Sequence, residues 1–346
     1  MADDDRGNRY VTGAMSTTTA DEKAETRWRN LLRAAEAKRL VVLVLVLGFF
    51  GLLNPGFLSG DSFMAVLQAA SFIGMVAVGQ TLLITAGEFD LSVGSVAALT
   101  NVSVALLLTV GGVQPIPALF IGLGVGALAG IFNAVIVLRV GLASFIVTIG
   151  TMFVARGLAV YGCLSLMPGP CFGYPVGPAA REIGAISVLG LSLNVVVSLL
   201  LVIAGAFVLN RLTFGRLIRA TGGNPEAARI AGVKTVRIKF LLFVLSGMCA
   251  SLAGVMTVFY FGSGTHEIGS GWELTAIAAV VVGGTSLFGG SGTVVGTLLG
   301  LLILQSITYG MVAARIDPWW QMIVTGLIML LALTVDGVGR RRRSIA

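Results

Sequence analysis

The sequence predicts an all-α integral membrane protein of about ten transmembrane helices, with both termini on the cytoplasmic side. Three observations predict it. Of 346 residues, 56% are hydrophobic, 47 are glycine and only 11% are charged, against roughly 25% charged in a soluble domain. The apolar residues fall into ten runs, at 40–53, 65–86, 91–110, 115–138, 142–161, 188–209, 238–261, 271–288, 292–311 and 319–336. A hydrocarbon core about 30 Å thick takes about 20 such residues per helix. Finally, with the N-terminus inside, 20 of the 23 Lys and Arg fall on the inner side and only Arg156, Arg181 and Arg315 on or near the outer side. The opposite orientation would reverse that split, and positive charge belongs inside.

Taken in order, residues 1–39 form a charged tail, 40–336 the membrane domain and 337–346 a basic tail containing Arg340–Arg343. Met1–Ala14 reads as a polar lead, so Met15 is an alternative start. No signal peptide is expected, because the first apolar run begins near Leu40 behind too long a charged segment. Between Asp21 and Leu40, Trp28, Leu31, Leu32 and Ala35 recur at helical spacing beside Arg27, Arg33, Lys38 and Arg39. This segment reads either as a helix lying on the inner membrane surface or as a solvated helix leading into the first span. Runs two and three are separated only by Gly87-Glu88-Phe89-Asp90, so they are two spans or one broken helix. Trp28, Trp272, Trp319 and Trp320 sit at predicted span ends, where amphipathic rings settle. The net charge of +7 follows membrane topology, since the basic residues flank apolar runs, and does not indicate nucleic acid.

Two glycine stripes, Gly122, Gly126, Gly130 and Gly292, Gly296, Gly300, repeat every four residues. That spacing puts them on one helix face and lets two backbones approach closely. None of the four lysines follows a glycine, so the chain has no nucleotide-binding P-loop. His266, the single histidine, reads as a loop residue, and no metal site or nucleophilic triad can be assembled. Few ionisable groups enter the spans: Glu88 and Asp90 at the break, Glu273 at a span mouth and Arg156 near one. No ladder suited to a proton relay appears. The polar inventory is neutral, with Gln80, Asn101, Asn133, Asn194, Gln305 and Gln321. Such amides either contact an uncharged, hydroxyl-rich solute or bond helices together. Asn101, Asn133 and Gln305 are taken as pathway candidates. Asp90 reads as a cap on the 91–110 helix or as a transport residue. Cys163 and Cys171 lie in the proline-rich outer loop 162–184. They pair if the turns bring their Cα atoms within about 7 Å, or else stay as buried thiols.

The longest inner loop, Asn210–Arg237, contains Gly223-Asn224-Pro225-Glu226-Ala227-Ala228-Arg229-Ile230-Ala231-Gly232. Asn224 supplies a side-chain cap, Pro225 fits the first helical position, Glu226 faces the helix dipole and Gly232 stops the helix. A short rigid helix held on a cytoplasmic loop is a docking device.

Glu226-Ala227-Ala228-x-x-x-Gly232 resembles the coupling motif of ABC importer permeases. Four further stretches resemble the ribose-type sugar permeases of that superfamily. They are Gly87–Ser95, which includes Asp90, Ser92 and Gly94, then Ser144–Met152, Gly283–Gly290 and Gly326–Ala332. Glu88 departs from the family pattern, where an apolar or small residue is expected. The resemblance implies a permease subunit in a bacterial plasma (inner) membrane, working by alternating access, with a coupling helix between spans six and seven. It implies partners: separate ABC ATPase subunits that bind the ATP, an external solute-binding protein that delivers a monosaccharide, and a second permease copy or a paralogue, all set in membrane lipid. No cofactor is expected in this chain. A branched-chain amino acid or nucleoside solute, or a secondary carrier, are the alternative readings.

Overall fold

A computed structural model describes residues 36–166, 173–317 and, between 319 and 334, all but 329, 332 and 333. The tail expectations on residues 1–35 and 337–346 lie outside these residues, as does Cys171. The first helix, α1, occupies 36–53. It is followed by α2 (Gly60–Thr85), α3 (Val93–Thr109), α4 (Pro115–Val135), α5 (Ser144–Leu166), the short outer α6 (Pro178–Gly184) and α7 (Leu193–Arg211). After these come α8 (Thr213–Gly223), α9 (Pro225–Ile230), α10 (Thr235–Phe261), α11 (Trp272–Val282), α12 (Val294–Ala313) and α13 (Trp319–Ile328). Among the described residues, six helices are long and apolar enough to cross a membrane: α2, α4 with its extension to Val140, α5, α7, α10 and α12. The helix α10 lies at the centre, packed against α2, α3, α4 and α6, and a buried apolar cluster joins these elements.

Local chemistry explains the starts and stops. Ser59 caps α2 by accepting the Ser62 N–H at 3.2 Å, with Asp61 in the first turn. Pro115 occupies the first position of α4, which widens into a π turn at Ile136–Val140 and stops at Gly141, φ +82°.

Three expected spans differ. Run 188–209 becomes a helix only from Leu193, because Leu189 and Gly190 both take positive φ and turn a hairpin between Ser187–Val188 and Leu191–Ser192. Run 271–288 is helical only to Val282; Gly283 and Gly284 (φ +79°) then turn the chain. Run 91–110 shortens to α3, since 87–92 is extended or turning. The last two are shorter apolar helices rather than full-length spans.

The first glycine stripe packs inside this chain. A side chain on Gly126 would strike the Gly247 carbonyl and Ser251 of α10, and one on Gly130 would strike Phe243 and Val244. Gly122 faces Val104 and Thr100 of α3 and Val255 of α10. The second stripe is corrected in part. Gly296 and Gly300 face Gly283 and Ala279, but Gly292 precedes α12 and sits in a loop against Thr85 and Thr285. The periodic spacing of these glycines concealed the extended Thr293 that begins the helix.

Candidate functional site

The inner loop folds as its residues dictate. Asn224 is extended (φ −152°) and its Oδ1 accepts the Ala227 N–H at 3.0 Å, capping α9 with Pro225 and Glu226 behind it. At the other end Gly232 is left-handed (φ +82°), its N–H bonds Arg229 O at 3.0 Å, and Val233 N–H bonds Ala228 O at 2.9 Å. These paired bonds close the helix and lead directly into α10. Ala228 is buried, whereas Pro225, Glu226, Ala227, Arg229 and Ile230 face outward, with Ile230 80% exposed. Glu226 accepts from Arg229 at 2.8 Å and holds that guanidinium above its ordinary pKa, but both side chains are solvated and the pair stabilises little. Gly223 is exposed just before the cap. Gly222, which sequence reasoning did not single out, is fully wedged: a Cβ there would meet Thr85 O and Gly290 N. Gly290 N–H itself bonds Thr85 O at 2.9 Å. The end of α8 is therefore seated on the end of α2 and the 283–293 loop, and α9 follows it packed on α8 and α10.

Behind it lies a buried polar cluster around Asp90. Its Oδ1 accepts the Ser92 N–H at 3.0 Å, the Ser92 hydroxyl at 2.5 Å and Asn133 Nδ2 at 3.4 Å. Its Oδ2 accepts from Ser246 at 3.2 Å, and its backbone carbonyl accepts from Gln80. Asn133 also donates to Ser92 Oγ at 3.0 Å and accepts from Thr151 at 2.6 Å. The carboxylate thus joins α4, α10 and the start of α3, the Asp90 carbonyl adds α2, and Asn133 adds α5. The cap reading is modified: α3 begins at Val93, Ser92 occupies its cap position without a side-chain cap bond, and Asp90 tightens the turn before it. Gly94 completes the trio. A Cβ there would strike the Gly269 carbonyl and Glu273, so the start of α3 abuts the segment entering α11.

The pathway candidates have these surroundings. Asn101 donates to Thr257 at 2.9 Å and Gly254 O at 3.4 Å, and accepts the Thr265 N–H at 2.8 Å. Asn133 is committed to the Asp90 cluster. Gln305 is a buried residue of α12. Arg156 donates to the carbonyls of His266 and Ile268 at 2.6 and 2.9 Å, so His266 is the loop residue expected. Cys163 is buried and disulfide-bonded, and Cys249 is a buried free thiol. Among the described residues, no group of three His, Cys, Asp or Glu is placed to hold a metal.

Lys239 is a second residue that sequence reasoning missed. Its Nζ lies 2.5 Å from Glu88 Oε1, with side chains only 18% and 12% exposed. The partners are 151 residues apart, beyond the reach of any local pattern.

A family model described as branched-chain amino acid transport system, permease component, matches residues 62–333. The ribose import permease protein RbsC of Bacillus subtilis (strain 168) is 34% identical over 297 residues, covering 86% of this chain and 90% of the relative. RbsC of Escherichia coli (strain K12) is 36% identical over 309 residues, 87% of this chain and 93% of the relative. The autoinducer 2 import system permease protein LsrC of Enterobacter sp. (strain 638) is 33% identical over 309 residues, 89% and 88%. No solved structure matches the chain.

Proposed function

The chain belongs to the family of branched-chain amino acid transport system permease components, and from that membership we propose that it is the membrane-spanning permease of an ATP-driven sugar importer. The ribose and autoinducer-2 import permeases, similar over more than four-fifths of the chain, favour a monosaccharide-like solute. The observation that carries the coupling role is α9: capped at both ends, anchored by its buried Ala228 and by the wedged end of α8 at Gly222 before it, and presenting Glu226, Ala227 and Ile230 outward. Such a knob suits insertion into a cleft on an ATPase subunit, which would bind the ATP that this chain has no P-loop to hold.

In this reading both termini are cytoplasmic, two copies (or this chain and a paralogue) enclose the pathway, and an external binding protein delivers the sugar. Nucleotide-driven movement of the ATPases shifts α9 and switches access from one side of the inner membrane to the other. Apolar side chains such as Phe120, Leu128, Phe153, Ile203 and Phe207 face outward, where lipid would solvate them. Asn101 and Asn133 hold helices together rather than line the path, because their amide groups already have partners within the chain.

The test is uptake in the native host with this chain deleted and restored. Labelled ribose should enter only when the chain is present, and leucine should not compete. Chain-dependent uptake of leucine instead would establish the branched-chain amino acid reading that the family's description favours.

A further inference from the structure

The helix α10 grips the segment before α3 at two points. Lys239 holds Glu88 and Ser246 holds Asp90. Residues 239 and 246 are seven apart, two helical turns on one face, about 10 Å along the axis. Glu88 and Asp90 are alternate residues of an irregular stretch that turns at Gly87, φ +82°. That stretch has no ladder of its own. Side chains of Gln80, Ser144, Asn133, Lys239 and Ser246 hold it in place.

At its lower end α10 is continuous with α9 through the Gly232 turn, with Val233 N–H bonded back to Ala228. At its upper end the gripped segment enters α3, whose Gly94 abuts Gly269 and Glu273 at the approach to α11. A continuous set of contacts therefore runs from the docking helix to the junction of two short interior helices.

We propose, resting on the coupling role given to α9 above, that the Lys239–Glu88 ion pair is the joint that passes movement of α9 and α10 to the 87–92 segment and so to α3. An apolar contact would serve stability as well, since desolvation offsets most of the attraction in a pair this enclosed. What the charges add is a fixed register between α10 and the segment. Asp90 alone cannot supply it, because the Ser246 contact is a single neutral donor at 3.2 Å. Glu88 and Lys239 are positioning residues and touch no solute in this account.

The experiment uses the complex purified from its native host in lipid nanodiscs, with wild type, Glu88→Gln, Lys239→Gln and the Glu88→Lys/Lys239→Glu exchange. Hydrogen exchange of the 87–95 amides is read with and without ATP and vanadate, and ribose uptake per ATP hydrolysed is read in proteoliposomes. Nucleotide should alter exchange at 87–95 in wild type and in the exchange variant, and leave it unaltered in either single variant. Uptake per ATP should fall about fivefold or more in the single variants, the range of ordinary coupling energies, and recover in the exchange. If nucleotide leaves 87–95 unaltered in wild type, or alters it equally in Glu88→Gln, the joint is refuted. Parallel loss of uptake, hydrolysis and folded protein, without recovery in the exchange, shows a merely structural pair and also refutes it. Purification without any ATPase instead overturns the importer reading on which the proposal rests, whereas an intact nucleotide effect without ribose uptake overturns only the choice of sugar.

Discussion

Gly126 of α4 and Gly247 of α10 face each other so closely that a Cβ on either would strike the carbonyl oxygen of the other. Both obstacles are backbone, so neither can rotate away. Within a bilayer, helices gain no hydrophobic energy by associating, and this close approach supplies dispersion and Cα–H···O contacts instead. Overpacking of a close contact costs about 1–3 kcal/mol, and Gly126→Val or Gly247→Val belongs at the upper end. Either should lower the thermal midpoint in detergent. Gly124→Ala, two residues along α4 with open space around it, should leave the midpoint unchanged or raise it.

Asp90 is satisfied by neutral donors from several helices, which separates its substitutions. Glutamine's shorter relative asparagine keeps an acceptor for Ser92 and Asn133 and a polar partner for Ser246, so Asp90→Asn should fold with a small loss. Asp90→Leu strands the Ser92 and Ser246 donors, at about 1–3 kcal/mol for each buried unpaired group, while Asn133 keeps Ser92 Oγ as an acceptor. Yield of monodisperse protein and its thermal midpoint should rank wild type, then Asn, then Leu well below. Equal behaviour of the two variants would show that the hydrogen bonds at Asp90 are of little consequence.

At the docking helix, stability and coupling should separate. Loss of the Asn224 cap by Asn224→Ala costs about 1 kcal/mol locally. Gly232→Pro conflicts with its φ of +82° and removes an N–H bonded to Arg229. It should abolish uptake while the membrane-embedded chain remains folded by circular dichroism. Full uptake by Gly232→Pro would remove the coupling role from α9.

For the cysteines, pairing of Cys163 with Cys171 predicts one titratable thiol, Cys249, when the unreduced protein is unfolded in denaturant. Three should appear after reduction. Three before reduction would exclude the pair.

Much of this architecture is legible in the sequence because its signals are local. Asn224-Pro225 and Gly232 announce α9, and four-residue glycine steps announce a close-packing face on α4, though not that its partner is α10. What escaped is non-local or sub-helical. An apolar run does not show where a helix begins, so the hairpin at Leu189-Gly190 and the break after Val282 were concealed inside hydrophobic stretches, whereas the break at Gly87–Asp90 was legible and only its extension to Ser92 was not. Glu88 stood out as an anomaly, but Lys239, its counterion, sits among other inner-side basic residues with nothing to distinguish it. For Asn101 and Asn133 chemistry alone leaves both a solute path and helix bonding open; the fold adds only their partners, Thr257, Thr265, Ser92 and Thr151, which lie far away in sequence.

The central claim is that this permease works with a separate ATPase docked on α9. Mild-detergent purification of the chain from its native host, followed by mass spectrometry of what accompanies it, tests this most directly. A stoichiometric protein containing a P-loop should accompany the chain and be lost when Gly232→Pro is introduced. A chain that purifies without any ATPase, yet still carries ribose into vesicles, would contradict it.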